Sequence, residues 1–478
     1  MSGLNLPMLF KLLGLPLKNC LLASFLLLLL PVHFLVVVPA ADAAMLSCLP
    51  LVSVMQEKVR VFSGKGSTRE PAAADDLLNP VAEGFLTTEN LDRTSEPQVV
   101  KVGCLLPLSG LYGEYGQRFL RGMELALGIY PGAESCRDRT IKLLVRDTRS
   151  MPDMAVSLIH ELVEKEQASL LVGPVVGPVA ISAAREAARL QVPIITLTSQ
   201  PGVAGTGPLV FQHFITARNQ AEELVRLMVE ILGMDRKVVV LYPDTLFGQT
   251  FCRCLATAAN QAGLKAVETV EYRASATDFG PVVKKIISIQ SVATGKNPAR
   301  TSRHQNRWAS KDMVLVLPGS RRRLNLLLPQ LFHYGLENIL VFGSRGWHDL
   351  LGDGKLSHGV KKVFFVDAFS ASGKKMPAVL LQYRKKYEQQ FKKKASLYDA
   401  YGYDTAILIK RVVAQLEGNQ PASAMQLGEI IRTLPEMEMV TGTTKLRADG
   451  EIEKRLYRFT VEKGGVDFLP QTPPLPGQ

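Results

Sequence analysis

From Val99 onward the chain alternates short apolar runs with amphipathic stretches, and it completes that series twice. Val99 to Pro107 reads as a buried strand, and 116–129 as a helix with Phe119, Leu120, Met123 and Leu127 on one side. Strands at Ile141 to Val145, Ser169 to Val172 and Pro193 to Leu197 alternate with helices at 153–166 and 178–190. Past residue 217, helices at 218–232, 248–262, 278–289 and 321–334 alternate with five strands. These are Lys237 to Tyr242, Lys265 to Tyr272, Met313 to Leu317, Ile339 to Phe342 and Val363 to Val366. Such alternation requires βαβ crossovers, and therefore parallel sheets covered on both faces. The expectation is an α/β protein of two doubly wound parallel-sheet lobes joined by hinge strands. At 478 residues the chain exceeds one core and suits two.

The remaining segments complete the division. A basic helix at 377–393 precedes helices at 398–416 and 424–433. A hairpin follows, predicted from Gly442 to Leu446, the turn Ala448-Asp449-Gly450, and Arg455 to Val461. Lobe 1 is expected to comprise 99–215 plus 369–440, and lobe 2 to comprise 216–368 plus 441–469. The hinge is placed near 214–218, 368–372 and 438–442. Residues 45–98, mixed in composition and without period, read as a tether. Residues 291–311 read as a basic surface insertion, and 470–478 as a Pro-rich tail.

Residues 1–44 have the form of an export signal. Lys11 and Lys18 precede an apolar run from Cys20 to Val38, interrupted by Pro31 and His33, and Ala41 and Ala43 offer a cleavage site. An uncleaved anchor is the alternative, since ~20 apolar residues span a bilayer. Lipid attachment at Cys48, in Met45-Leu46-Ser47-Cys48, is a third. Each places the remainder outside the cytoplasm.

The formal charge of +12 is concentrated in patches. Lys296, Arg300, Arg303, Arg307 and Lys311 form one, Arg321-Arg322-Arg323 another, and Lys392-Lys393-Lys394 a third. They read as solvated faces or as contacts to anionic lipid or an acidic envelope polymer; nucleic acid is not an expected partner outside the cytoplasm. Cys252 and Cys254 point apart on one helix, and Cys104 and Cys136 lie too far apart to bridge, so no disulfide is expected. No metal-ligand spacing or cofactor motif occurs. His213, His333, His348 and His358 fall on separate segments, and no Gly-x-Ser-x-Gly, P-loop or His-Glu-x-x-His is present, so no enzyme is expected. Asp349 reads as a helix N-cap, and Asp404 as a carboxylate satisfying local hydrogen bonds.

Residues 99–465 carry a set of ordered motifs. These are Val102-Gly103, Leu106-Pro107-Leu108-Ser109-Gly110, Gly116, Gly122, Gly173-Pro174, Val192-Pro193-Ile194-Ile195, Asp244, Phe247-Gly248, Gly263, Tyr272 and Thr277-Asp278-Phe279. Tyr403-Asp404 and the Asp449-Gly450 hairpin complete them. In this order the sequence resembles the leucine/isoleucine/valine-binding, type I periplasmic receptor family. A second set is similar to the receptors labelled penicillin-binding-protein activators: Pro318-Gly319-Ser320-Arg321-Arg322, Gln330-Leu331, Gly343, Gly346-Trp347-His348-Asp349 and Phe365-Val366-Asp367. The first resemblance implies a small-molecule ligand, an ABC permease partner and amino-acid transport. The second implies protein contact with a cell-wall synthase.

In open α/β sheets, ligands sit off the carboxyl ends of the strands, against loop amides and helix N-termini. Here those loops are 107–117, 173–179, 196–202, 242–248, 317–322 and 343–348. The resemblance then implies ligand contacts from Ser109, Tyr112, Gly177, Thr198, Gln200, Phe247, Ser320 and Arg345, with Tyr242 assisting Phe247. Three positions depart from an amino-acid receptor. Gly177 and Gln200 stand where hydroxyls hold a carboxylate, and Arg345 stands where an acidic residue holds an ammonium. An anionic or sugar-containing ligand is therefore expected in preference to a free branched-chain amino acid.

Overall fold

The computed structural model describes residues 99–130, 141–264, 267–294, 313–336, 339–351, 360–416, 422–462 and 465–471. The signal, the tether, Cys20, Cys48, Cys136, His358, residues 295–311 of the basic insertion and residues 472–478 lie outside the described residues.

The first half builds a five-stranded sheet, all parallel, in the order β2-β1-β3-β4-β5. Its strands are β1 (Val100–Leu106), β2 (Ile141–Asp147), β3 (Leu170–Val172), β4 (Ile194–Thr196) and β5 (Val210–Gln212). Between them run α1 (Gly113–Leu127), α2 (Pro152–His160, continued by a π-helical turn Glu161–Lys165) and α3 (Gly177–Arg189). Side chains alternate across a strand. Val102, Cys104 and Leu106 therefore join the large core, while Leu105 packs with Leu171, Ile194, Ile159 and Ala183 on the opposite face. Apolar contact on both faces is what a doubly wound sheet requires.

The second sheet has the order β14-β13-β10-β9-β8-β6-β7. Its parallel strands are β6 (Lys237–Pro243), β7 (Val267–Tyr272), β8 (Met313–Leu317), β9 (Ile339–Gly343) and β10 (Val360–Asp367). Helices α4 (Ala217–Leu232), α5 (Leu246–Gln261), α6 (Gly280–Thr294), α7 (Arg321–His333) and α8 (Gly346–Leu351) alternate with them. The chain continues through α9 (Ala378–Phe391), α10 (Leu397–Val413) and α11 (Ala424–Thr433) to the hairpin β11 (Thr443–Leu446) and β12 (Ile452–Arg455). It ends in β13 (Tyr457–Glu462) and β14 (Gly465–Leu469).

Several sequence expectations are corrected here. The hairpin pairs Thr443–Leu446 with Ile452–Arg455, not with Arg455 to Val461. After Leu456 the chain leaves the hairpin, and β13 lies antiparallel to β10, so the second sheet is not wholly parallel. The apolar strand β13 finds more to bury against Phe364 and Phe365 than beside a two-stranded ribbon. Strand β5, only three residues long, and β14 gave too short a periodic signal to be recognised. Asp349 lies within α8 instead of capping it, and it pairs with Arg345 at 3.8 Å.

Many of the motifs are packing devices. A Cβ on Gly116 would meet the Pro107 carbonyl oxygen at 2.0 Å, and one on Gly248 would meet that of Pro243 at 2.1 Å. Helices α1 and α5 thus dock closely on the prolines at the ends of β1 and β6. The Trp347 ring covers Gly343, and its Nε1–H donates to the Leu317 carbonyl at 2.9 Å. Gln330 accepts from the Phe279 N–H at 2.7 Å and donates to the Thr277 carbonyl at 2.7 Å, tying two motifs together. At the start of α5, the Thr245 hydroxyl accepts from the Gly248 N–H at 3.1 Å. Thr245→Ala is expected to lower stability by ~1 kcal/mol in a denaturant titration, with the fold kept.

Candidate functional site

Two strand ends carry the hydroxyl and amide side of the site. Asp147, at the end of β2, accepts from the Leu108 and Arg149 N–H groups, each at 2.9 Å, and from the Ser109 hydroxyl at 2.6 Å. Partial burial works to raise its pKa, but these donors outweigh it and hold the carboxyl below its usual value. The Ser109 proton is thereby committed, so Ser109 faces a ligand only as an acceptor. At the start of α3, Gly177 is covered by Gln200, whose Oε1 would lie 2.6 Å from a Cβ placed there. The Gln200 N–H donates to the Thr198 hydroxyl at 3.3 Å, and Gln212 Nε2 donates to the Thr198 and Gln200 carbonyls at 2.6 and 2.9 Å. Gly177, Thr198 and Gln200 thus form one group.

Aromatic rings form a second. Tyr112 stands 6.1 Å from Tyr115, which stands 4.6 Å from Tyr398 at the start of α10. Tyr398 stacks with Phe214 at 6.0 Å, and the Arg345 guanidinium lies 6.0 Å from its ring centroid. Arg345 follows β9 in the second sheet, whereas Tyr398 packs with residues of the first. This cation–π contact therefore joins the lobes.

Arg345 is not an unmatched cation. Asp367 lies 3.7 Å from its Nε and Asp349 3.8 Å from its Nη2, and its backbone N–H donates to Gln220 Oε1 at 3.0 Å. Burial opposes its charge, but Asp367 and then Asp349 more than compensate, so its pKa is raised. The pull on an anion expected from this residue is offset by the two carboxylates.

Phe247 rests against Phe251 at 5.9 Å. Ser320, exposed at the N-terminus of α7, makes no side-chain cap. Among the described residues, neither is joined to the two groups above by a hydrogen bond or a ring contact. Tyr242 lies within hydrogen-bonding reach of Cys252. Exposed apolar side chains mark both rims, with Leu111 at 85 % and Leu246 at 50 % exposure.

The structure also assembles residues that sequence reasoning left scattered. His348 Nδ1 lies 2.8 Å from Asp367 Oδ2, and its Nε2 lies 3.1 Å from the Ser370 hydroxyl. The residue types are those of an acid–base–nucleophile relay. Ser370, however, is buried and donates its proton to the Ser372 carbonyl at 2.5 Å. The cluster consequently fastens the segment leaving β10. Gly346-Trp347-His348-Asp349 and Phe365-Val366-Asp367 were visible as motifs, but the packing of α8 against β10 is what joins them. His213 is likewise buried, with Nδ1 2.8 Å from the Thr405 hydroxyl; burial, and then Lys454, push its pKa well below the usual value. Among the described residues no cluster of three or more His, Cys, Asp or Glu side chains could hold a metal. Nor is any described helix long and apolar enough to cross a membrane.

A search of curated proteins returns no significant match. Among solved structures, the chain is similar to a branched-chain amino acid ABC transporter protein from Rhodospirillum rubrum, with TM-score 0.63 and 19 % identity over 78 % of this chain and 100 % of that one. It is similar to a leucine-binding protein from Thermotoga maritima (TM-score 0.54, 18 % identity, 78 % and 98 % covered). It is also similar to a branched-chain amino acid substrate-binding protein from Streptococcus pneumoniae in complex with isoleucine (TM-score 0.52, 19 % identity, 78 % and 99 % covered). At such identities the likeness shows the two-lobed fold. A sequence model of the periplasmic binding protein family matches residues 99–466, most of the chain, and the chain belongs to that family.

Proposed function

We propose that the protein is an exported solute-binding receptor that captures a small molecule between its lobes and presents it to an ABC permease. The observation that carries this reading is the site just described. There the Arg345 guanidinium, following β9 of the second sheet, meets the Tyr398 ring, beside the aromatic group of Tyr112, Tyr115 and Phe214. The lobes, 99–215 plus 369–440 and 216–368 plus 441–469, close about the hinge segments, and closure buries the ligand. The wall formed by Tyr112, Tyr115 and Tyr398 suits a solute with an apolar or aromatic body. With Arg345 already matched by Asp349 and Asp367, selectivity rests on that wall more than on charge. Native mass spectrometry of freshly purified protein tests the proposal: a co-purifying small molecule, lost when Tyr398 is replaced by alanine, is the expected result. Calorimetric titration with leucine and with acidic cell-wall fragments then ranks the ligand classes.

One observation favours a second reading, a ligand-poor regulator of a cell-wall synthase. Gln200 fills the space over Gly177, and Arg345 bridges to Tyr398, so the crevice is partly furnished by the protein's own side chains. Gln200→Ala separates the two. If a ligand carboxylate approaches the start of α3, uncovering Gly177 is expected to change its affinity about tenfold, or ~1.4 kcal/mol. A regulator would keep its synthase contact unchanged in a pull-down of envelope proteins.

A further inference from the structure

Away from the crevice, a pocket of about 310 Å³ opens beside the hinge. Its lining includes Lys375, Glu438, Met439, Tyr457, Phe468 and Leu469. Three parts of the chain build it: the segment between β10 and α9, the segment between α11 and β11, and the β13–β14 edge of the second sheet. Met439, Tyr457 and Phe468 are buried and give an apolar floor. The Tyr457 hydroxyl is fixed by donating to the Val440 carbonyl at 3.1 Å. Lys375 and Glu438 are exposed and come from different segments, and among the described residues neither head group has a hydrogen-bond or ion-pair partner.

We infer that this pocket is a second ligand site, for an elongated zwitterion with an apolar middle. Its carboxylate would meet Lys375, its ammonium Glu438, and its body the floor of Met439, Tyr457 and Phe468. The volume falls at the lower end of small-molecule pockets, roughly 300–1,000 Å³, and the lining has their usual form of apolar walls with a few polar groups. The second cavity, about 470 Å³ beside α4 and α5, lacks this character: its Arg218 and Arg447 are already paired with Glu222. Because the hinge segment 438–442 lines the 310 Å³ pocket through Glu438, Met439 and Gly442, an occupant that fits one hinge angle better shifts the lobes toward that angle. Coupling to the inter-lobe crevice is then reciprocal. The inference stands whether or not the crevice holds a solute.

The test is calorimetric titration of the purified chain with trans-4-(aminomethyl)cyclohexanecarboxylate. Saturable binding is expected, with cyclohexanecarboxylate and cyclohexylmethylamine each at least about tenfold weaker. Lys375→Glu should weaken the zwitterion about tenfold or more, and the swap K375E with E438K should restore it to within about threefold. Both side chains are exposed, so unchanged thermal unfolding verifies that the variants fold. The crevice variant Tyr112→Ala should leave the affinity unaltered. Absence of saturable binding at millimolar probe overturns the inference. So does a loss caused by Y112A with full binding in K375E, which would move the ligand to the crevice.

Discussion

Asp404→Ala is expected to lower the free energy of unfolding by ~3–5 kcal/mol, as is typical when one partner of a buried charged pair is removed. Asp404, fully buried in α10, accepts from the Val440 and Thr441 N–H groups at 3.0 and 2.7 Å and from the Thr441 hydroxyl at 2.5 Å. These partners stand far along the chain, in the segment leading to the hairpin, so the contacts are not the local ones expected from the sequence. Lys454 of β12 is also fully buried; its ammonium donates to the Thr444 hydroxyl and lies 5.2 Å from the Tyr401 ring centroid. Without Asp404, two backbone N–H groups lose their acceptor and Lys454 loses its countercharge. Against a total stability of ~5–15 kcal/mol, that loss is large. Urea unfolding followed by circular dichroism measures it. The double variant Asp404→Leu with Lys454→Met should recover part of the loss, because no lone charge remains buried.

The same pair sets a pH dependence. Burial lowers the Lys454 pKa from 10.5 to about 8, even though Asp404 opposes the shift. Between those values the unfolded chain holds the proton more tightly than the folded one, so this group makes stability rise as pH climbs from about 8 toward 10.5. Asp404 has the opposite sign. Burial raises its pKa despite Lys454 and its hydrogen-bond donors, so its contribution falls as pH rises from 3.8 through the folded value. In Asp404→Asn the Lys454 pKa should drop below about 8. The deficit of that variant relative to the parent is then expected to shrink between neutral pH and pH ~9.5, as Lys454 becomes neutral in both.

The second large effect concerns the crossing of α1 and α10. A Cβ on Gly402 would lie 2.0 Å from the Phe119 carbonyl oxygen, and one on Gly122 would lie 1.9 Å from that of Asp399. Each glycine admits the backbone of the facing helix, and neither obstacle is a side chain able to swing away. Helix propensity alone would make Gly402→Ala stabilising by ~1 kcal/mol. The clash acts against it, and overpacking of this kind costs ~1–3 kcal/mol or more. A net loss of ~2 kcal/mol in Gly402→Ala is expected from denaturant unfolding, and a larger one in Gly402→Val. Gly205→Ala, with nothing within 4 Å of the added carbon, is the control and should be neutral. A stabilised Gly402→Ala would mean that the helices part freely.

The crossing shows why some features were legible and others were not. The elements of both sheets were readable because each buries a run or stripe of its own residues: Val238 to Leu241 are apolar throughout and fully buried in β6. Glycine at 122 and 402 could be noticed in the sequence, but not the carbonyl that each admits. Arg345 shows the same limit. Its charge is visible in the sequence and suggested attraction for an anion; Asp367 and Asp349, brought beside it by β10 and α8, are what offset that charge.

Alternating apolar periods, read residue by residue, therefore determined the class of fold, the two successive βαβ series and the loops at the strand ends, because hydrophobic periodicity is local. Tertiary structure alone decided which charges are matched, which strand follows the hairpin into the second sheet, and that His348, Asp367 and Ser370 meet. Those outcomes depend on distances between segments far apart in the chain, and those distances arise only when both faces of each sheet are packed.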